Sequence, residues 1–227
     1  MAKNKLQTLK GRIGSPKASA SRPVGTRHKK VRFLIVCEGE KTEPNYFKSL
    51  VRDPQYSAVI ELEIRGVGRS TVSLVEEADR IREKLESRNG LDFDSSWVVF
   101  DEDGNSDFNQ AITLAKSRNL KTAWSNEAFE LWYYLHFEFL DAGIDRHAYI
   151  DKLNNVLRKK LGNKRYNYKK NDSGFYDILC KYGNETFAKK CAQNLRKRYS
   201  GNDYAKHKPC TTVDLLVDEL EHPEKLL

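Results

Sequence analysis

Two stretches, VRFLIVCEGEKTE (residues 31–43) and SSWVVFDEDGN (residues 95–105), decide the fold that this chain is expected to adopt. Each is a short run rich in Val, Ile or Phe that ends abruptly in acidic residues. Apolar runs of this length are typical of strands that are buried on both faces of a parallel sheet. The two stretches therefore predict a parallel α/β sheet with carboxylates at the ends of two strands.

The acidic ends of these runs predict a functional site. Glu38 and Glu40 follow the first strand. Asp101 and Asp103 follow the later one. In an open α/β sheet, residues just past the carboxyl ends of the strands line the ligand crevice. Because converging carboxylates repel one another, we expect a cation between them, and Mg²⁺ or Mn²⁺ suits an all-oxygen ligand set.

The pattern outside these runs predicts an alternating order of strands and helices. Residues 59–67 alternate between apolar and charged side chains, which is typical of a strand near the edge of a sheet. Residues 120–124 predict a further short strand, followed by a helix that begins at Asn126. With amphipathic helices between the strands, the order becomes β-α-β-α-β-α-β-α, which predicts a parallel sheet with right-handed crossovers. Strand signals stop after Asp141.

We predict three segments from composition and charge. Residues 1–30 form a basic tail that is expected to be disordered, residues 31–140 an α/β domain, and residues 141–227 a helical, basic region packed on it. The tail contains nine Lys or Arg residues and no acid, and residues 152–171 contain eight and again no acid. Two acid-free tracts predict contact with a polyanion such as nucleic acid. The alternative is that the basic surface only aids solubility.

Several classes of protein are excluded by the composition. No apolar run approaches the roughly 18 residues that a membrane span needs, so no membrane partner is expected. The four cysteines form no CxxC pair, which argues against a zinc site and a disulfide framework. The basic N-terminus has no apolar segment behind it, as a secretory signal would. A cytoplasmic protein is therefore expected.

Six basic residues, two near the predicted strand ends and four in the second acid-free tract, are candidates for nucleic-acid contact. They are Lys41, Arg69, Lys164, Arg165, Lys169 and Lys170. The last four are interleaved with Tyr166 and Tyr168, a composition that suits a single-stranded nucleic acid. A solvated basic loop would have the same composition.

Three further acids are weaker candidates for metal ligands. Glu43 could simply favour the N-terminal end of a helix, and Asp107 is placed as a helix cap. Glu130 lies on an apolar helix and needs a partner, either a Lys or the metal cluster. Asp101 and Asp103 could themselves cap the next helix or lie in a solvated turn.

The aromatic helix around Glu130 has its own two interpretations. Its aromatic residues recur at helical spacing and predict packing in the core, with base stacking as the alternative; they are Phe129, Trp132, Tyr133 and Phe137. His136 is either a core histidine or a catalytic one.

The pairing of a Glu after strand one with a DxD after strand three resembles the TOPRIM domain of topoisomerases, primases and OLD-type nucleases. Five motifs extend the likeness: CEGEKTEPNYF, GVGRSTVSLV, VVFDEDGN, SNEAFELWYYLHF and KPCTTVDLLVDEL. In this order they resemble the RloB family, TOPRIM-like proteins encoded near restriction-modification and phage-defence loci. The resemblance covers about residues 30–220. One departure is Asn126-Glu127, where that family usually has Asn-Pro.

The resemblance implies a TOPRIM- or Rossmann-like parallel sheet flanked by helices, with a helical C-terminal extension. It also implies that Glu38, Asp101 and Asp103 are catalytic and bind Mg²⁺ or Mn²⁺, with Glu38 a ligand or a general base. The activity implied is an endonuclease on DNA or RNA, tRNA included, in anti-phage defence. A separately encoded ATPase is the implied partner, because the chain has no GxxxxGK[ST] motif.

Two other functions stay open at this point. One is a non-catalytic nucleic-acid-binding or regulatory module that keeps the fold. The other is a subunit whose site is inert until the partner ATPase docks. The sequence predicts no oligomeric state.

Overall fold

A computed structural model describes residues 30–227, in which a four-stranded sheet forms the centre of the molecule. Its strands are β1 (Val31–Cys37), β2 (Ile60–Gly66), β3 (Ser95–Asp101) and β4 (Lys121–Ser125). They lie in the order β2-β1-β3-β4, and every neighbouring pair is parallel. The predicted α/β class is confirmed.

The two runs that predicted the fold are the two central strands. Every residue of β1 and β3 is buried, as expected for strands covered on both faces. The predicted alternating strand, β2, lies at an edge of the sheet, and its Ile60, Leu62 and Ile64 pack into one core. Cys37 is in register with Gly66 and with Val99, so β1, β2 and β3 end close together.

Helices cover both faces of the sheet. In the described part of the chain they are α1 (Thr42–Val51), α2 (Pro54–Ser57), α3 (Thr71–Asn89), α4 (Phe108–Ser117), α5 (Glu130–Leu135), α6 (Arg146–Leu161), α7 (Phe175–Tyr182), α8 (Glu185–Arg196) and α9 (Val213–Glu221). Short 3-10 helices span Tyr204–Lys206 and Pro223–Leu226. The C-terminal third is therefore helical, as the loss of strand signals after Asp141 predicts. Within residues 30–227, no helix has both the length and the apolar character that a membrane crossing needs.

The two faces of the sheet bury separate apolar cores because alternate residues of a strand point to opposite sides. Phe33 and Ile35 of β1 belong to one core, which also contains Leu153 of α6 and Val217 of α9. Leu34 belongs to the other core, with α3 and α4. The core of the α/β region thus continues into the helical C-terminal region. The predicted basic tail lies, except for Lys30, outside the described residues.

The helix predicted from Asn126 begins four residues later, at Glu130. The Asn126 N–H donates to the carbonyl of Cys210, and Glu127 adopts a φ of +68°, so the chain first makes a turn. Proline is restricted to a φ near −65°, so this turn is one that the Asn-Pro sequence could not form.

Candidate functional site

A cleft of about 400 Å³ opens at the carboxyl ends of β1 and β3. It is lined by Glu38, Gly39, Glu40, Lys41, Thr42, Glu43, Asp101, Phe129, Glu130, Arg146, Lys170 and Asn171. Parallel strands bring Glu38 and Asp101 to the same edge of the sheet, where the crevice of an open α/β fold is expected. Glu43 is supplied by α1 and Glu130 by α5.

A backbone hydrogen bond links Asp101 to the side chain of Glu38. The Asp101 N–H donates to Glu38 Oε2 at 3.2 Å, and the Phe129 N–H donates to Asp101 Oδ2 at 3.1 Å. Asp101 is only 6% exposed. Burial raises its pKa well above the ordinary range, and the nearby carboxylates of Glu43, Glu130 and Glu38 raise that pKa further. Burial is also the largest cause that raises the pKa of Glu38.

Glu43 and Glu130 complete the buried acidic group. Burial, with the neighbouring charges of Glu130 and Glu38, raises the pKa of Glu43 to about 7. Its Oε2 atom is buried and has no hydrogen-bond partner. Glu130, 1% exposed, accepts a hydrogen bond from the Tyr168 hydroxyl at 3.3 Å, and Lys170 Nζ lies 3.9 Å from its Oε1. Glu130 thus contacts a Lys while also facing the cleft.

Asp103 stands apart from this group, at the rim. It adopts a φ of +37°, and Gly104, at +74°, completes the tight turn. Its carboxylate forms an ion pair with Arg146, whose Nη2 atom also lies 3.5 Å from Asp101 Oδ2. Asp103 is close enough to Glu38 for its charge to contribute to the raised pKa of that residue.

The donors of the cleft suit a hard divalent cation in their chemistry. Five carboxylates line the cleft, and the buried Oε2 of Glu43 has no partner. Over residues 30–227, however, no three or more His, Cys, Asp or Glu side chains are grouped so that they could hold an ion. Arg146 and Lys170 supply positive charge instead. Coordination would require the carboxylates to move together, so the metal site stays a prediction.

Asp107 does not line the cleft. It occupies the position before α4, but its carboxylate makes no capping bond to that helix. Its Oδ2 instead accepts a hydrogen bond from the Val72 N–H at 3.4 Å, in the first turn of α3. It therefore links the starts of two helices.

The candidate nucleic-acid residues fall in three places. Lys41 and Lys170 line the cleft. Arg69 lies in the turn before α3, with its Nη1 atom 3.7 Å from Glu77 Oε2. The remaining candidates are exposed on the loop between α6 and α7, and they are Lys164, Arg165 and Lys169.

The loop of residues 162–174 is fixed against the cleft. Arg158 Nε donates to the Tyr166 carbonyl at 2.8 Å, and the Tyr168 N–H donates to Asn154 Oδ1 at 2.6 Å. The Thr42 hydroxyl donates to the carbonyl of Lys170. Tyr168 is buried, so its ring is not available for base stacking, and the nucleic-acid role of the basic residues around it stays a prediction.

His136 and the aromatic residues of α5 belong to the core. Trp132 and Tyr133 are buried, and the His136 Nδ1 atom is 2.9 Å from the Trp132 carbonyl oxygen. Burial lowers the pKa of His136 to about 4, so the ring is neutral at physiological pH. The core interpretation is confirmed for these residues, and His136 does not line the cleft.

Arg146 is a charged residue of the cleft that the sequence did not single out. It is the first residue of α6, directly after Asp145, whose carboxylate caps the helix by accepting from the Ala148 N–H at 2.9 Å. A cation at the N-terminal end of a helix opposes the helix dipole. That unfavourable position is the signal that could have marked Arg146 as a residue with a specific partner.

The fold and the site together define an α/β protein with an acidic cleft at the carboxyl end of a parallel sheet. The chain belongs to the RloB-like family, because the family model for the RloB-like protein matches residues 33–220. No curated protein and no solved structure matches the chain.

Proposed function

We propose that this protein is a Mg²⁺- or Mn²⁺-dependent endonuclease that acts on nucleic acid in anti-phage defence. The observation that carries the proposal is that five carboxylates share one cleft beside the basic loop of residues 162–174; they are Glu38, Glu40, Glu43, Asp101 and Glu130. Acids alone would repel a polyanion. A bound divalent ion would supply the opposite charge, neutralise the phosphoryl group and activate a water molecule.

The protein residues have distinct roles in this proposal. Asp101 and Asp103 are the main ligands, and Glu38 is a ligand or the general base. Glu43 and Glu130 are candidates for a second ion. Because the pKa of Glu43 is raised to about 7, this carboxyl group can hold or release a proton near neutral pH. The Phe129 N–H fixes the orientation of the Asp101 carboxylate.

The basic loop supports a polyanionic substrate. Lys164, Arg165 and Lys169 are exposed on it, and Thr42 ties its end to the edge of the cleft. Replacing these three residues with Gln should weaken nucleic-acid binding and reduce its dependence on salt. Removal of residues 1–29, which lie outside the described part, should have the same kind of effect. Affinity that does not change between low and physiological salt would contradict the polyanion argument.

The central experiment compares the wild type with Asp101→Ala on plasmid DNA, single-stranded DNA and total tRNA. The assay is run with Mn²⁺, with Mg²⁺ and with EDTA, and with and without a separately encoded ATPase, the partner that the family resemblance implies. We expect cutting only by the wild type with metal. Glu102→Gln is the matched control, because Glu102 lies between the two aspartates but does not line the cleft. Equal cutting by Asp101→Ala would contradict the proposal.

One observation favours a second candidate, a non-catalytic nucleic-acid-binding or regulatory module. Arg146 and Lys170 already contact carboxylates of the cleft, and no metal-ligand group is formed in residues 30–227. Nucleic-acid binding that is equal in Mn²⁺ and EDTA, with no cutting under any condition, would favour this candidate. Cutting that appears only after the ATPase is added would identify a subunit that its partner activates.

A further inference from the structure

Arg146 occupies a position that its own helix disfavours. The N-terminal end of α6 carries the positive end of the helix dipole, and a guanidinium group there is repelled. The carboxylates of Asp101 and Asp103 offset this repulsion by contacting its two terminal nitrogens. The two aspartates, and not the helix dipole, therefore stabilise the position of the Arg146 side chain.

The contacts leave the guanidinium group incompletely satisfied. Arginine has five N–H donors in a fixed planar arrangement. The Arg146 Nε atom is buried and has no hydrogen-bond partner, and the side chain as a whole is 30% exposed. Arg146 lines the cleft, so an acceptor that enters the cleft can reach it.

The guanidinium group of Arg146 and the proposed divalent ion would compete for the same carboxylate oxygen atoms. Arg146 contacts the Oδ2 atoms of Asp101 and Asp103, the pair that is proposed to bind the divalent ion. An ion at those oxygens would repel the guanidinium group at short range. Phosphate is the other ligand that matches the planar geometry of arginine, which binds it through two parallel hydrogen bonds.

We propose that Arg146 and a divalent ion exchange at the two aspartates. Arg146 neutralises the carboxylates until an ion binds, and the displaced guanidinium group then binds a phosphate of the nucleic acid. Arg146 is thus a phosphate-binding residue only when metal is bound. The proposal rests on the metal-dependent function proposed above. Lys170 does not share this role, because it contacts Glu130 and not the two aspartates.

Two binding measurements on the full chain test the exchange without relying on activity. Mn²⁺ affinity is measured by titration with detection of free Mn²⁺ by electron paramagnetic resonance. Nucleic-acid affinity is measured by fluorescence anisotropy with a single-stranded phosphorothioate DNA oligonucleotide, which resists hydrolysis, in EDTA and in Mn²⁺. The variants are Arg146→Gln, Arg146→Lys and the control Lys116→Gln, an exposed charge in the last turn of α4 that lies outside both predicted nucleic-acid tracts.

Arg146→Gln should bind Mn²⁺ about fivefold more tightly than the wild type, because the competing cation is gone. Mn²⁺ should strengthen DNA binding by the wild type and by Lys116→Gln, but much less by Arg146→Gln. In EDTA these proteins should bind DNA with similar affinity. Unchanged or weaker Mn²⁺ binding by Arg146→Gln overturns the exchange, as does a loss of DNA affinity that is equal in EDTA and Mn²⁺.

The remaining outcomes separate this proposal from the proposed function. If neither the wild type nor Arg146→Gln binds Mn²⁺, both proposals fail. If the wild type binds Mn²⁺ and cuts, but Arg146→Gln shows no tighter Mn²⁺ binding, only the exchange fails.

If Arg146→Gln does not fold, the exchange is tested with Arg146→Lys. It should keep Mn²⁺ affinity within about twofold and lose most of the Mn²⁺-dependent gain in DNA affinity, since lysine lacks the bidentate geometry. If Arg146→Lys keeps the full Mn²⁺-dependent gain in DNA affinity, the exchange is overturned.

Discussion

Two acidic clusters of this molecule share one property and differ in another. One is the group of cleft carboxylates, and the second cluster is formed by Glu185 and Glu221 with Lys189. Glu43 lies in the first turn of α1 and Glu185 in the first turn of α8, and burial raises the pKa of each to about 7. Glu185 also interacts with Glu221, which raises its pKa further. A raised pKa alone therefore does not distinguish the two places.

The two clusters differ in how their charge is neutralised. Lys189 lies between the acids of the second cluster, with Nζ 3.1 Å from Glu185 Oε1 and in direct contact with Glu221. In the cleft, Glu43 Oε2 has no partner, and the Lys170 ammonium is 3.9 Å from Glu130. The second cluster is a closed structural arrangement. The cleft retains a buried carboxylate oxygen without a partner beside groups of raised pKa, a combination that is found more often at functional sites than in closed ion pairs.

The largest expected difference is in the proposed nuclease activity. Asp101→Ala should lower Mn²⁺-dependent cutting at least about 100-fold, because a lost ligand removes charge stabilisation at the phosphoryl group. Glu221→Gln, in the second cluster, should cut like the wild type. Initial rates on a fluorescent substrate at equal protein concentration measure both. Similar losses in the two variants would mean that the clusters do not differ in the way proposed.

Thermal stability in the presence of metal is the next test. At a Mn²⁺ concentration of about 100 times the Kd, binding should stabilise the folded state by about 2.7 kcal/mol and raise the Tm by about 5 to 10 °C. Asp101→Asn combined with Asp103→Asn should abolish the rise, as measured by differential scanning fluorimetry. Glu185→Gln combined with Glu221→Gln should retain it. A wild-type Tm that Mn²⁺ does not change would contradict ion binding in the cleft.

The pH dependence of stability should differ between wild type and Glu43→Gln. Because the folded-state pKa of Glu43 is raised to about 7 from an ordinary value of 4.5, the folded protein holds a proton that the unfolded chain releases. The resulting stability is fully present below about pH 4.5 and is lost as the pH rises through about 7. Glu43→Gln removes this loss, so at pH 8 its free energy of unfolding should exceed that of the wild type by about 1 to 3 kcal/mol.

Urea denaturation of both proteins at pH 5 and pH 8, in EDTA, provides the measurement. The difference between them should grow with pH. With saturating Mn²⁺ at pH 8 the advantage of Glu43→Gln should shrink, since the ion then stabilises the wild-type carboxylate. A difference that is the same at both pH values would show that Glu43 is not titrating in this range.

The smallest expected effect is that of Lys189→Met. Removing the shared cation leaves Glu185 and Glu221 facing each other, which should cost about 1 to 2 kcal/mol of stability at pH 8. The cost should decrease toward pH 5, where a proton can replace the lysine. Urea denaturation measures the change, and Mn²⁺-dependent cutting is the control. Loss of cutting in this variant would connect the second cluster to the cleft.

The strands and their acidic ends could be predicted from local pattern because their physical causes are local. Burial on two faces requires the continuous apolar runs of β1 and β3, and parallel pairing brings the ends of these strands to one edge. Glu38 and Asp101 therefore came together as expected. The turn at Asn126 was not predictable in the same way, because its geometry depends on a hydrogen bond to Cys210, far along the chain.

The sequence by itself determined the α/β class, the central pair of strands and the carboxylates that follow them. Only the tertiary structure decided how those carboxylates are balanced. Arg146 and Lys170 belong to the helical C-terminal region, and they reach the cleft because that region shares an apolar core with the sheet. Such contacts depend on how helices distant in the chain pack against one another, and the local periodicity of apolar and charged residues does not specify that packing.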